Sequence, residues 1–159
     1  MGLTRGSFYK AFLDKKSLFL NVLNRYETEA VDPTVALLTT GDADGLDRIE
    51  ALFDHVISAV ETGDQRGCLL CSAAAGPAAV DDDISELVHL QLNKMQDAFL
   101  VALTQSQRFK SATPQTRQEM ASMLLTQYVG LRILVRSHGS VETIRQSARA
   151  IMQALGPAP

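Results

Sequence analysis

The stretch LDRIEALFDHVISAVET, residues 46–62, has the clearest periodic pattern in the chain and decides the fold class. Its large apolar residues recur at steps of three and one. They are Ile49, Leu52, Phe53, Val56, Ile57 and Val60. Because an α-helix turns once in 3.6 residues, this spacing puts them on one buried face. Gly63 follows as a helix stop. The stretch therefore predicts an amphipathic helix packed against other helices.

Residues that start and stop helices divide the rest of the chain. Asp14, Thr113 and Ser140 are predicted N-caps, because a short oxygen-bearing side chain accepts a backbone N–H of the first turn. Pro114 then takes the first helical position, where its missing N–H costs nothing. Three further helices are predicted, at about 5–12 with Thr4 as its cap, at 66–75, and from Asp82 to about 109. Helix breaks are predicted at Asp32-Pro33 and at Thr39–Asp42. With no strand alternation, the predicted fold is an all-α bundle of about eight helices.

Composition limits the classes of protein that fit. The chain has 159 residues, of which 46% are hydrophobic and 21% charged, as in a folded domain of ordinary composition. The net charge of −3 excludes a basic protein that coats nucleic acid. No apolar run approaches the ~20 residues that span a bilayer, and the first residues lack an apolar signal core. We therefore expect a cytoplasmic protein without membrane contact.

The two ends of the chain differ in charge. Residues 1–26 carry five basic residues and one acidic residue, whereas residues 27–159 carry ten basic and 17 acidic residues. This asymmetry favours a small end that faces a polyanion on an acidic body. A solvated basic helix explains the charge equally well.

Two cysteines stand in a CxxC pattern at Cys68 and Cys71. A zinc site needs about four ligands, and the chain has no second pair. A redox CxxC motif is expected in a βαβ context, which the sequence does not have. Free cysteines are usually buried, so we expect both to pack in the core.

No catalytic constellation is visible in the sequence. His55, His89 and His138 are scattered and predict surface or pocket-rim positions. Asp81–Asp83 predict a solvated helix N-terminus, because hard cations need more oxygen ligands than a helix start supplies. There is no glycine-rich phosphate loop and no GxSxG motif. We therefore expect no enzyme activity, no cofactor and no metal.

The N-terminal segment MGLTRGSFYKAFLDKKSLFLNVLNRY has the composition of a helix that enters a DNA groove. Such a helix presents hydroxyl and basic residues on one face and apolar anchors on the other. Leu3, Phe8 and Phe12 supply the anchors, and Lys15 can meet a phosphate beside the free N–H groups of the next helix. The full set of candidate DNA-binding residues is Thr4, Arg5, Ser7, Tyr9, Lys10 and Lys15.

At these residues the chain resembles the TetR (tetracycline-repressor-like) family of bacterial transcription regulators. The family pattern is G-[VL]-[ST]-[KR]-G-[ST]-[FL]-Y-x-x-F-x-[ST]-K-x-x-L. Here it reads Gly2, Leu3, Thr4, Arg5, Gly6, Ser7, Phe8, Tyr9, Phe12, Lys15 and Leu18. Asp14 departs from the pattern by replacing a small hydroxyl residue, although it can still cap a helix. RGCLL at 66–70 and Gly130-Leu131-Arg132 also look like family members.

The resemblance implies a recognition helix at about 5–12 without the two helices that precede it in the family. A start assigned too late, a truncation or a genuine short form would each explain this. Leu3, Phe8 and Phe12 would normally bury against those helices, at roughly 1.5–3 kcal/mol each. We therefore expect residues 1–12 to be loosely held and DNA binding to be impaired.

The resemblance also implies two functional parts. Residues 1–26 would be an incomplete helix-turn-helix segment, and residues 27–156 a ligand-binding and dimerisation domain. The expected partners are operator DNA, a small apolar or amphipathic effector, and a second copy bound through the last two helices. Conceivable pocket residues, each equally consistent with plain core, are Phe53, Ile57, Met95, Phe99, Met123 and Tyr128. Candidate dimer residues are Tyr128, Leu131, Val135, Ile144, Ile151 and Met152. The alternative function is a helical ligand-binding or dimerisation module without DNA binding of its own.

Overall fold

A computed structural model describes residues 13–156, and its regular elements are all helical. The helices are α1 (Lys15–Tyr26), α2 (Asp32–Thr39), α3 (Gly45–Glu61), α4 (Leu69–Ala75), α5 (Asp82–Gln105), α6 (Pro114–Arg136) and α7 (Val141–Leu155). A π-helical turn, Glu27–Val31, joins α1 to α2, and a 3₁₀ turn, Pro77–Val80, precedes α5. No strand occurs within the described range, so the all-α prediction is confirmed. The predicted helix at 5–12 lies outside the described residues.

The predicted N-caps of α1, α6 and α7 are confirmed. Asp14 accepts the backbone N–H of Ser17 at 2.7 Å. Thr113 and Ser140 accept the corresponding N–H three residues on, at 3.0 and 3.1 Å. The predicted stop at Gly63 is confirmed as well, since its φ of +89° lies in the left-handed region that favours glycine.

The predicted break at Asp32-Pro33 is wrong, because the helix continues from α1 through the π turn into α2. Pro33 falls in the first turn of α2, where a missing N–H is tolerated. Just before it, the backbone N–H of Asp32 donates to the carbonyl of Glu27, five residues back. The wider turn takes up the disruption that a proline causes inside a helix. The boundary expected between residues 26 and 27 falls inside this continuous helix.

Two other predicted bounds shift. The short helix predicted from residue 66 begins at Leu69, because Gly67 has φ +70° and Cys68 is extended. The long helix predicted to reach about residue 109 ends at Gln105. There Ser106 turns extended, and the carboxylate of Asp44 accepts the N–H of Gln107 at 2.8 Å.

The core surrounds α5, which packs against α2, α3, α4 and α6. Phe53 and Phe99 both meet Tyr128 edge to face, with ring centroids 6.3 Å apart in each pair. All three side chains are buried. Edge-to-face aromatic pairs add to the burial energy of the rings, so this trio fixes how α3, α5 and α6 meet.

The chain from 13 to 156 contains no helix with the length and apolarity needed to cross a membrane.

Candidate functional site

Only one of the candidate DNA-binding residues falls within the described part of the chain. Thr4, Arg5, Ser7, Tyr9 and Lys10 lie outside it. Lys15 is exposed in the first turn of α1 and has no ion-pair partner among residues 13–156. Its ammonium is therefore open to a polyanion.

The cap of α1 limits what its N-terminus can bind. The Asp14 carboxylate accepts both the N–H and the hydroxyl of Ser17. These bonds lower the pKa of Asp14, so a negative charge persists beside Lys15. A phosphate at this helix start would therefore have to rely on Lys15 more than on the N–H groups that the sequence suggested.

The neighbouring Lys16 is already paired. Its ammonium lies 2.9 Å from Asp81 and 2.5 Å from Asp83, at the start of α5. These two carboxylates raise the pKa of Lys16. The aspartates do lie at a helix N-terminus, as predicted, and Asp81 caps it by accepting the N–H of Ile84. The ion pair that ties α1 to α5 was not predicted, because it joins residues 65 or more positions apart in the sequence.

Two further contacts join the continuous helix to α5. The side-chain amide of Gln91 donates to the carbonyl of Leu23 at 3.3 Å. The ammonium of Lys94 lies 2.9 Å from Glu27 and 2.5 Å from Asp32, and these pairs raise its pKa. The π turn is therefore held from the side by α5.

The six candidate pocket residues do not surround one cavity in the described structure. Phe53, Met95, Phe99 and Tyr128 are buried in the core. Ile57 and Met123 are only partly buried. Phe53 and Ile57 do line one small cleft, about 180 Å³, between α3 and α7, together with Met152. Ligand pockets usually enclose about 300–1,000 Å³, so this cleft would have to open to hold an effector.

A larger cleft, about 380 Å³, lies where the loop after α5 meets the end of α7. Phe109, Met120 and Leu155 contribute apolar surface, and Arg108 donates to the carbonyl of Leu155. None of the predicted pocket residues lines it. The loop between two helices carries no periodic pattern, so the sequence has no signal for this cleft.

The candidate dimer residues need correction. Five of the six, namely Tyr128, Leu131, Val135, Ile144 and Ile151, are at most 8% exposed inside the single chain, and only Met152 is partly accessible. The apolar stripe of a helix usually marks the face that packs against other helices of the same chain, rather than a face that contacts a second copy. The outward apolar residues of α6 are instead Ile133 and Leu134, 49% and 36% exposed, with Val129 half-buried beside them.

Three buried polar side chains were missed, those of Arg48, Gln91 and Ser106. Gln91 is fully buried and its carbonyl oxygen has no partner. Arg48 is 5% exposed, donates to Gln105 and Gly41, and leaves its Nε without a partner. The signal for Gln91 was its position, because it continues the spacing of Ile84, Val88 and Met95 on the buried face of α5.

Cys68 and Cys71 are free and buried, as predicted. Cys68 is the N-cap residue of α4 and Cys71 lies in its first turn. Hydrogen bonds from the Cys71 thiol and the Tyr26 hydroxyl lower the pKa of Cys68. The hydrogen bond between the two thiols raises the pKa of Cys71. Arg132 of α6 donates to the carbonyl of Gly67 beside them. The surroundings are therefore more polar than plain core packing requires.

The histidines are all exposed, as predicted, and His138 bonds to Gln65. Among residues 13–156, no three side chains of histidine, cysteine, aspartate or glutamate come together to hold a metal ion.

Comparisons with protein-family models, with curated proteins and with solved structures gave no match to this chain. The functional assignment therefore depends on the sequence pattern of residues 2–18 and on the geometry described above.

Proposed function

We propose that the chain is a TetR-like transcription repressor. In this proposal the basic N-terminal segment contacts operator DNA in a homodimer, and a small apolar or amphipathic effector bound in the helical body releases the DNA. The observation that carries the proposal is the unbroken helix from Lys15 to Thr39, which connects Lys15 and Leu18 of the family pattern to the body without a loop.

The anchoring of that helix supports a transmitting role. Leu23 is buried, and the helix meets α5 at Gln91 and Lys94. Lys16 adds a third contact near its N-terminus. Because α5 also packs on α3 and α6, a shift of α5 on ligand binding would move the start of α1 with it. Coupling of this kind is what an effector-controlled DNA binder requires.

The small cleft between α3 and α7 is the proposed effector entrance. Phe53, Ile57 and Met152 give it apolar walls, and Arg149 stands at its edge. Glu50 and Asp54 also line the cleft, and Arg149 lies 3.4 Å from Glu142, so the polar rim carries more negative than positive charge. An apolar molecule, or an amphipathic one without an acidic end, fits this chemistry. Methionine at the mouth favours widening, because its side chain repacks easily.

The test is a DNA-binding titration with the whole chain, a pool of short duplexes and a range of salt concentrations. Each phosphate contact contributes about −0.9 to the slope of log affinity against log salt. Lys15→Gln should weaken binding and reduce the slope by about one unit. The matched control is Lys110→Gln, which removes an exposed lysine on the loop after α5. An equal loss in both variants would contradict the proposed DNA-facing end.

The second candidate is a helical ligand-binding or dimerisation module that does not hold DNA itself. The engagement of Lys16 by Asp81 and Asp83 favours it, because one cation of the basic end is already neutralised. This function predicts dimers in solution and no retention of DNA at low salt. The same titration therefore separates the two candidates.

A further inference from the structure

The cleft between the loop 106–113 and the end of α7, here called the loop cleft, has a wall that is held in place by hydrogen bonds. At the start of the loop, the N–H of Gln107 donates to the carboxylate of Asp44 at 2.8 Å. In its middle, the guanidinium of Arg117 donates to the carbonyl of Phe109 at 3.0 Å. Ligand sites are usually formed before the ligand arrives, with volumes of about 300–1,000 Å³. The loop cleft, at about 380 Å³, lies within that range.

The walls of the loop cleft are largely apolar. Leu155 is 2% exposed, and Phe109 and Met120 are partly buried against the core. Ala112 and Ala154 add small side chains that leave the space open. An aromatic ring packs favourably against another ring, and a methionine sulfur packs favourably at a ring edge. The walls therefore favour a ligand with an aromatic body.

The rim of the loop cleft is basic. Residues 106–117 contain Arg108, Lys110 and Arg117 and no acidic residue, although the whole chain has a net charge of −3. Arg108 lines the cleft, and its Nε–H donates to the carbonyl of Leu155, which fixes the guanidinium at the rim. Lys110 and Arg117 have no ion-pair partner within the described part of the chain. The combined positive potential favours an anionic group on the ligand.

Among the described residues, no acidic side chain lines the loop cleft. Asp44, at the start of the loop, and Glu119, beside Met120 on α6, are near in the structure or the sequence, and both carboxylates already accept hydrogen bonds. The smaller cleft between α3 and α7 differs, because Glu50 and Asp54 line it. An acidic ligand therefore fits the loop cleft and not the smaller one.

We propose that the loop cleft is a ligand site of its own and that it binds a small aromatic carboxylate. The carboxylate lies at the rim beside Arg108, and the aromatic ring packs against Phe109 and Met120. Ser111 also lines the cleft, and its hydroxyl can donate a hydrogen bond to the same carboxylate. Binding here requires neither contact with DNA nor a second copy of the chain, so it goes beyond the proposed repressor function.

The first experiment titrates the whole chain with phenylbutyrate by calorimetry near neutral pH. Two probes of the same shape follow, the neutral phenylbutyramide and the cationic phenylbutylamine. The carboxylate should bind at least about tenfold more tightly than the amide, because a hydrogen bond to a charged group is stronger than one to a neutral group. The amine should bind more weakly than the amide, since the basic rim repels it. No binding of phenylbutyrate, or equal binding of the three probes, would overturn the proposal.

The second experiment locates the bound probe by nuclear magnetic resonance of isotope-labelled methionine methyl groups. Of the five methionines in the chain, Met120 lines the loop cleft and Met152 lines the smaller cleft. Phenylbutyrate should shift the Met120 signal, which is assigned by its loss in Met120→Leu, and leave the Met152 signal in place. A shift of Met152 without one of Met120, or of neither signal, would overturn the proposed location.

The third experiment tests the charge and the space of the loop cleft. Arg108→Gln should weaken phenylbutyrate binding at least about tenfold. The matched control is Arg136→Gln, which removes an exposed arginine at the opposite end of α6 and should leave the affinity unchanged. Because Arg108 also holds the end of α7, a second variant is Ala154→Phe, which fills the cleft from an exposed position without changing a charge and should abolish binding. An equal loss in both arginine variants, or full binding in Ala154→Phe, would contradict the proposed site.

Discussion

At the scale of single residues, Gly45 has the least room of any described glycine. A Cβ at this position would lie 1.7 Å from the carbonyl oxygen of Ala102 on α5. That close approach explains why a glycine starts α3, since any side chain would push the two helices apart.

The change Gly45→Ala should therefore lower the free energy of unfolding by about 3 kcal/mol, the upper range for overpacking. The matched change Gly130→Ala, in the middle of α6 with open space at its Cβ, should raise it by about 0.5–1 kcal/mol. Urea denaturation of both variants measures this. The packing account is wrong if the two changes shift stability in the same direction.

At Gln91 we expect the opposite result, in which removing a polar group raises the free energy of unfolding or leaves it unchanged. Its carbonyl oxygen is buried without a partner, and the Leu23 carbonyl that its amide contacts also accepts the backbone N–H of Glu27. Gln91→Met should therefore leave no orphaned group and should be neutral or stabilising by about 1 kcal/mol. Thermal unfolding tests this. A decrease of more than about 2 kcal/mol in the free energy of unfolding would mean that the hydrogen bond from the Gln91 amide to Leu23 stabilises the fold by more than the unpartnered oxygen destabilises it.

The residue pattern alone predicted which apolar side chains are buried. It did not predict the surroundings of the buried polar side chains. The stripe of residues 46–62 named the face of α3 that is buried, including Ile49, Leu52 and Phe53. The same spacing places Gln91 on the buried face of α5, but it does not name the partners of Gln91 or Arg48. Their partners lie on distant elements, and a single sequence carries no information about which elements meet.

At the scale of elements, one carboxylate connects two helix ends. Asp44 accepts the N–H of Leu46 at 2.9 Å, which caps α3, and the N–H of Gln107 at 2.8 Å, just after α5. Burial alone would raise the pKa of Asp44, but the N–H groups of Gln107 and Leu46 outweigh it and the pKa is lowered.

Asp44→Ala should therefore lower the free energy of unfolding by about 1–2 kcal/mol near neutral pH, as the loss of a strong N-cap does. Because the pKa is lowered on folding, this contribution is complete above the ordinary pKa of 3.8 and is lost as the pH falls through the lower value in the folded chain. Urea denaturation at about pH 7 and about pH 3 should show the gap between wild type and variant narrowing in acid. A gap that widens in acid would contradict the assigned direction.

The sequence predicted the helix starts correctly where the capping side chain and its partner are close together in the sequence. Asp14, Thr113 and Ser140 each bond to a residue three positions on, so the pattern contains the whole interaction. The break predicted at Asp32-Pro33 failed because the outcome depends on α5. Lys94 pairs with Glu27, the first residue of the π turn, and with Asp32, which follows the turn, and each contact spans more than 60 residues of sequence.

At the scale of the whole molecule, the outward face of α6 is the expected contact between two copies. Ile133→Glu should shift the chain toward monomer, because a charge would be buried against the partner. The control is Leu90→Glu, which alters a side chain that is 62% exposed on α5. Sedimentation over a range of concentrations gives the dissociation constant of each variant. An equal shift in both, or none in Ile133→Glu, would remove this face from the interface.

The π turn also stores a residue without changing the direction of the rod's ends. An α-helix advances about 100° per residue, whereas a turn closed by a bond five residues back is wider and advances less per residue. Glu27–Val31 therefore holds about one residue more than an α-helical stretch of the same rotation, and the two halves of the rod keep nearly the same phase. Deleting Thr28 would restore ordinary winding and leave Lys15 pointing close to its present direction, so the rod can lose this one residue without turning its far end.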